Sequence, residues 1–200
     1  MKRLLIVSHC ILNTASKVAM DEKELQEEYR LRRTLMTKVM EDDIQLLQLP
    51  CPEFILYGSR RWGHVKDQFD HPHFRKECRK MLEPVLMQLE EYLRYPDEYQ
   101  VLGIVSVDGS PSCGYGLTCR GNWGGELSGN MDEVSVKVGT CKGVKEPGVL
   151  MEILEKELKE RELQVPIYNM KDTIQLLDSV SGKETSKKNK RKNQNSNIHL

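Results

Sequence analysis

Apolar residues along the chain gather in four short runs separated by longer stretches of helical spacing. The runs are Leu4–Ser8, Ile44–Leu49, Val101–Val107 and Val165–Tyr168. They are mostly continuous rather than alternating, which predicts strands buried on both faces. Over 22–41, Leu25, Tyr29, Met36, Val39 and Met40 fall near one helical face. Over 72–94, Phe74, Cys78, Met81, Leu82, Val85, Leu89 and Leu93 form a long stripe, and Pro84 predicts a kink or a break within it. Over 147–163, Leu150, Ile153, Leu154 and Leu158 keep helical spacing, with Pro147 suited to a first turn. Strands alternating with helices predict an α/β fold. The expected architecture is a single Rossmann-like domain over 1–178, with a small, mostly parallel four-stranded sheet flanked by helices.

Two stretches depart from that plan. Residues 53–70 mix aromatic and charged side chains and read as a functional loop or lid. Residues 108–145 hold nine glycines and many polar residues, with a short strand expected at Val134–Val138. No internal repeat is present. The polar, low-complexity segment 179–200 has no apolar face and reads as a disordered basic tail.

Composition narrows the class. The chain has 200 residues, 38% of them hydrophobic, enough for one core. No apolar run approaches the ~20 residues of a membrane span. The amino terminus has two basic residues before an apolar stretch, but His9 and Asn13 interrupt it and no small-residue cleavage site follows. It reads as a first buried strand, which predicts a cytoplasmic protein. Thirty basic and thirty acidic residues cancel overall. Residues 181–200 hold six basic and one acidic, so the first 180 hold 24 and 29, a net of −5. That balance argues against a nucleic-acid-binding domain and leaves only weak RNA or partner contact through the tail. Oligomeric state leaves no mark in the pattern. Six cysteines without a CxxC pair are too few for a disulfide scaffold. They are core residues, nucleophiles or ligands.

Chemistry concentrates at strand ends. The first strand runs into Ser8-His9-Cys10, the second into Cys51-Pro52-Glu53, and the third into Asp108-Gly109-Ser110-Pro111-Ser112-Cys113-Gly114. In an open α/β sheet, ligands bind at the carboxyl ends of the strands. Adjacent parallel strands lie about 5 Å apart, so the three thiols are placed to converge. Converging thiolates repel unless a cation neutralises them, and soft thiolates suit zinc or iron–sulfur clusters. Three ligands also leave a coordination position open. The competing reading is three unrelated core cysteines. Cys78 reads as a core residue on its helix stripe; Cys119 and Cys141 are weaker site candidates.

Around these thiols, Glu53 is placed to act as acid or base, and Ser110, Ser112 and Asp108 to position water or a substrate heteroatom. Each also has a plain reading as a turn residue. His9 should point away from Cys10. Arg60, Arg61 and Trp62 form a basic-aromatic cluster suited to an anionic or planar substrate, and Trp123 is placed to stack on a ring. His64, His71 and His73 are too loosely spaced to be diagnostic of a metal site.

The three motifs in this order resemble the thiouracil desulfidase family. Its first strand ends in a Ser-x-Cys motif, its second in a Cys-Pro-Glu turn and its third in a Ser-Pro-Ser-Cys-Gly turn. Here these are Ser8-His9-Cys10, Cys51-Pro52-Glu53 and Ser110-Pro111-Ser112-Cys113-Gly114; the later Pro147-Gly148-Val149-Leu150 also fits the outline. The resemblance implies that Cys10, Cys51 and Cys113 hold a [4Fe-4S] cluster whose fourth iron binds the sulfur of a small thiolated substrate. Water then replaces that sulfur without net redox change. It further implies proton transfer and substrate contact for Glu53, Ser110 and Ser112. The family continues its second motif with Gly-Gly-Leu-Pro-Thr-Pro-Arg; here Phe54-Ile55-Leu56-Tyr57-Gly58-Ser59-Arg60-Arg61-Trp62 stands instead, so the pocket differs. Alternatives are a non-catalytic iron–sulfur or sulfur-handling module and a three-cysteine zinc hydrolase.

Overall fold

A computed structural model describes residues 1–122, 124–126 and 131–180. In chain order the elements are β1 (Lys2–Val7), α1 (His9–Leu12), a 3-10 turn (Thr14–Ser16), α2 (Glu22–Glu41), β2 (Gln45–Gln48), α3 (Pro52–Tyr57), α4 (Lys66–Phe69), α5 (Pro72–Arg94), β3 (Tyr99–Ser106), β4 (Thr118–Arg120), α6 (Met131–Val138), β5 (Lys142–Val144), α7 (Val149–Glu160) and β6 (Ile167–Asn169). A last helix, α8, covers 170–180 and runs past the expected domain boundary at 178. The tail over 181–200 lies outside the described residues.

β1, β2, β3 and β6 form one parallel sheet in the order β2-β1-β3-β6. This is the expected α/β fold. Ile6, Ile104 and Leu49 pack with Phe74, Leu82, Leu86 and Leu89 of α5 and Leu150, Ile153 and Leu154 of α7. Leu5, Val7 and Val105 pack on the opposite face with Leu35 and Val39 of α2 and Met170 and Leu177 of α8. Helices therefore cover both faces, which is why the strands carry continuous apolar runs.

Three local expectations are corrected. Pro84 does not break α5, which continues over all 23 residues. Buried Phe74, Cys78 and Leu82 precede it and buried Val85, Leu86 and Leu89 follow. Burial at ~1.5–3 kcal/mol per large apolar side chain outweighs the ~3 kcal/mol cost of an internal proline. Val134–Val138 is not a strand but part of α6. Its Asp132 and Glu133 in the first turn and Lys137 in the last suit the helix dipole, and Glu133 and Lys137 pair at 3.1 Å. Pro147 does not start α7; it precedes the N-cap, Gly148. The reading of 53–70 as loop also yields, because α3 and α4 both lie within it. The glycine-rich region carries an unexpected second sheet, an antiparallel β4-β5 ribbon.

Cys78 is fully buried in the α5 layer, as its place on the stripe implies. Burial pushes its thiol up to about 12. An unfolded thiol titrates near ~8.5, so the folded state holds this proton more tightly. That contribution is fully present below pH ~8.5 and is lost as pH rises toward 12. In urea unfolding of the reduced protein at stepped pH, Cys78→Val is expected to gain stability relative to wild type between pH 9 and 12. A pH-independent difference would refute this.

Candidate functional site

The sheet's carboxyl edge gathers the three motifs. The chain leaves β1 through Ser8, whose hydroxyl donates to the Val105 carbonyl at 3.0 Å and ties the end of β1 to β3. α1 begins at once, so Cys10 sits in a helical turn rather than at a strand end. His9 turns aside, as expected: its ring stacks on Phe54 at 6.5 Å and contacts Gln48. Cys51 caps α3, its sulfur accepting from the Phe54 amide at 3.4 Å, with Pro52 in the first helical position. Cys113 lies in the turn after β3 and is 5% exposed.

That turn is held by the start of α7. The amides of Gly148, Val149 and Leu150 donate to the carbonyls of Gly114 (2.8 Å), Pro111 (3.0 Å) and Ser112 (3.0 Å). Helix amides that would otherwise lack partners thereby lock the cysteine turn in place. Gly148 is required by this approach, since a Cβ there would stand 2.7 Å from the Pro111 and Ser112 carbonyl oxygens. Gly148→Ala is expected to cost about 1–3 kcal/mol by overpacking, read as a lower midpoint in urea. An unchanged midpoint would show that the turn relaxes freely.

Cys10, Cys51 and Cys113 line one cavity of about 350 Å³ together with Glu53, Arg61, Asp108 and Ser110. Burial raises all three thiols: Cys10 up to about 12, Cys51 upward, and Cys113 well above its ordinary range. After burial, the charges of Cys10, Glu53 and Cys51 push Cys113 further up, and that of Cys51 also raises Cys10. The thiols are near enough to repel as thiolates, and a bound cation would displace their protons. All are free. No three His, Cys, Asp or Glu side chains among the described residues close on one point as ligands of a single ion would. Three soft thiolate donors on one cavity are the chemistry that zinc or an iron–sulfur cluster takes.

Glu53 is buried beside the thiols. Its Oε1 accepts from Ser110 Oγ at 3.3 Å and from Ser112 Oγ, and its Oε2 faces Arg61 Nε at 3.3 Å. Ser110 Oγ also accepts the amides of Ser112 (3.3 Å) and Cys113 (3.0 Å), linking the carboxylate to the cysteine turn. Arg61 further donates to the Gly58 (3.1 Å) and Ser16 (2.8 Å) carbonyls. Its guanidinium thus anchors Glu53 and the 58–61 loop, beyond the substrate contact expected of it. Asp108 Oδ1 accepts the Tyr115 and Gly116 amides, so it shapes the turn while lining the cavity.

Other candidates separate from this site. Trp62 is 67% exposed and lines a neighbouring cavity with Cys119 and Cys141. Arg60 is exposed, and Trp123 lies outside the described residues. His71 caps α5, and His64 stacks on Phe69 at 4.7 Å, so the histidines form no common centre. Burial lowers the His64 ring below the ordinary histidine range, against the opposing charge of Glu53. Sequence reading missed Lys17 and Glu28, which pair at 2.5 Å in the cavity wall, because nothing in their local pattern distinguishes them from a solvated helix face. It also missed the role of Gly148, whose signal is a glycine before a helix without a side-chain cap.

Fold and site define an α/β protein with three cysteines and a buried carboxylate gathered at the carboxyl edge of a parallel sheet. The chain belongs to the same family as uncharacterized protein MJ0003 of Methanocaldococcus jannaschii. It is 33% identical to that protein over 112 residues, covering 56% of this chain and 67% of the archaeal one. No family model matches the chain, and no solved structure matches it. Among the described residues no helix is long and apolar enough to cross a membrane.

Proposed function

We propose that the protein is a [4Fe-4S]-dependent desulfidase, a divergent relative of the thiouracil desulfidases, acting on a small thiolated compound such as a thiolated nucleobase. The carrying observation is the single cavity that joins Cys10, Cys51 and Cys113 to Glu53 and Ser110. The three thiolates would hold the cluster, which when bound supplies a thiophilic Lewis acid at its open iron. Glu53 takes a proton from the attacking water at its carboxylate. Ser110 and Ser112 hold Oε1 from one side and Arg61 holds Oε2 from the other, so the carboxylate is oriented before substrate arrives. The surrounding burial limits competing solvent. The balance is hydrolytic: the carbon–sulfur double bond and water give a carbonyl and hydrogen sulfide.

Glu53→Gln keeps the shape of the side chain and removes its basicity. Sulfide release from 2-thiouracil and 4-thiouracil by anaerobically reconstituted protein is expected to fall about 10²–10⁴-fold, with iron content unchanged. Undiminished sulfide release by the variant would remove Glu53 from the chemistry. Reconstituted wild type that binds iron but releases no sulfide from any thiocarbonyl probe would favour the non-catalytic module.

A further inference from the structure

A second pair of thiols stands apart from the three at the sheet edge. In the β4-β5 ribbon Cys119 lies opposite Gly143 and Arg120 opposite Lys142. Cys141 continues the ladder by packing against Gly121, where an added Cβ would meet Cys141 Cα at 2.9 Å and its Sγ at 3.0 Å. Positions 119 and 141 are therefore diagonal neighbours on one face of the ribbon. Both thiols are free and half-buried, and both line one cavity of about 530 Å³. They are close enough that charge on Cys141 bears on Cys119.

Diagonal neighbours in an antiparallel pair lie roughly 7–8 Å apart. A disulfide needs Cα atoms within about 6.8 Å and sulfurs about 2 Å apart. A metal between two thiolates needs sulfurs only about twice ~2.3 Å apart, so the offset suits a bridging cation better than a disulfide. The walls decide which cation. Trp62, Val65, Val134 and Val138 are apolar, Met131 adds a thioether and His64 an imidazole, and no carboxylate lines the cavity. Hard cations that need oxygen ligands are disfavoured there. Zinc takes four ligands in a closed site, and two thiolates with one imidazole fall short of that set. Soft thiolate and thioether donors in an apolar setting select Cu(I).

We propose that Cys119 and Cys141 form a two-thiolate site for one soft monovalent cation of the Cu(I) class, separate from the cysteines at the sheet edge. Binding converts two thiols and Cu(I) into a bis-thiolate complex and releases two protons. Copper keeps its oxidation state, so no electron acceptor is needed. The site is independent of the desulfidase reading.

The test labels the full wild-type chain anaerobically with N-ethylmaleimide, with and without two equivalents of Cu(I), and scores each cysteine by mass spectrometry. Copper is expected to slow labelling of Cys119 and Cys141 together by tenfold or more. Equal rates with and without copper, or protection of one thiol alone, would overturn the proposal. A second measurement uses Cys10→Ala, Cys51→Ala, Cys113→Ala protein in competition with the Cu(I) chelator bathocuproine disulfonate. One retained equivalent is expected, with retention weakened at least tenfold by Cys119→Ser or Cys141→Ser in the same background. Copper retained equally by the serine variants would overturn it as well.

Discussion

Joint replacement of Cys10, Cys51 and Cys113 by Ala is expected to abolish bound iron and acid-labile sulfide, where anaerobically purified wild type carries about four of each per chain. The three thiols line one cavity and come from turns after three different strands, so no two of them form a complete local ligand set. Their raised affinity for protons makes cluster assembly release protons, so loading should weaken as pH falls. The buried thiols hold their protons in the apo form, so the variant relieves no charge repulsion and loses only side-chain packing, which urea unfolding of the apo protein measures separately from iron content. Iron and sulfide analysis, with the visible absorption spectrum, decides. Iron retained by the triple variant would place the cluster elsewhere. Stoichiometric zinc in wild type would revive the hydrolase alternative, and absence of any metal after reconstitution would leave three core cysteines.

The second large effect is structural. Phe69 ends α4 with no exposed surface and lies parallel to Phe74, ring centroids 4.5 Å apart and planes 3° from parallel. Tyr57 and His64 also stack on it, at 5.4 and 4.7 Å. One ring thus joins α3, the 58–65 loop and α5 beneath the site. Phe69→Ala is expected to destabilise the protein by about 3–5 kcal/mol, the transfer and cavity cost of a large buried aromatic. Denaturant unfolding measures it, with an unchanged m-value if the transition stays two-state. A loss under ~1 kcal/mol would mean that the neighbouring rings collapse into the space. Because α3 begins at Cys51 and Glu53, metal loading should weaken in the same variant.

Much of this arrangement is legible in the residues. Continuous apolar runs located the four strands of the main sheet, because strands covered on both faces need apolar side chains at nearly every position. The stripes over 22–41 and 72–94 marked α2 and α5 to the residue or nearly so. Cysteine motifs at three strand ends pointed to the one cavity they line, since strand ends in such sheets share one edge. Signals failed where local pattern and local structure part company. Alternating valines over 134–138 mimic a strand, yet α6 buries none of its side chains and is shaped by its charges. α8 escaped notice because its buried Met170, Thr173 and Leu177 are sparse among polar residues. The β4-β5 ribbon is three residues a side, too short for periodicity to register.

The sequence alone therefore determined the four strands of the main sheet, the helices α2, α5 and α7, and which motifs follow the strands. Burial demand is written locally, in the spacing of apolar side chains. Tertiary structure alone decided that β1 lies between β2 and β3, which brings Cys10, Cys51 and Cys113 into one cavity. It also decided that Arg61 meets Glu53, that α7 locks the Cys113 turn, and that Trp62 belongs to a different cavity. These contacts join residues from different elements, some more than a hundred positions apart. They depend on how helices pack over two faces of a sheet, a global balance that no local spacing encodes.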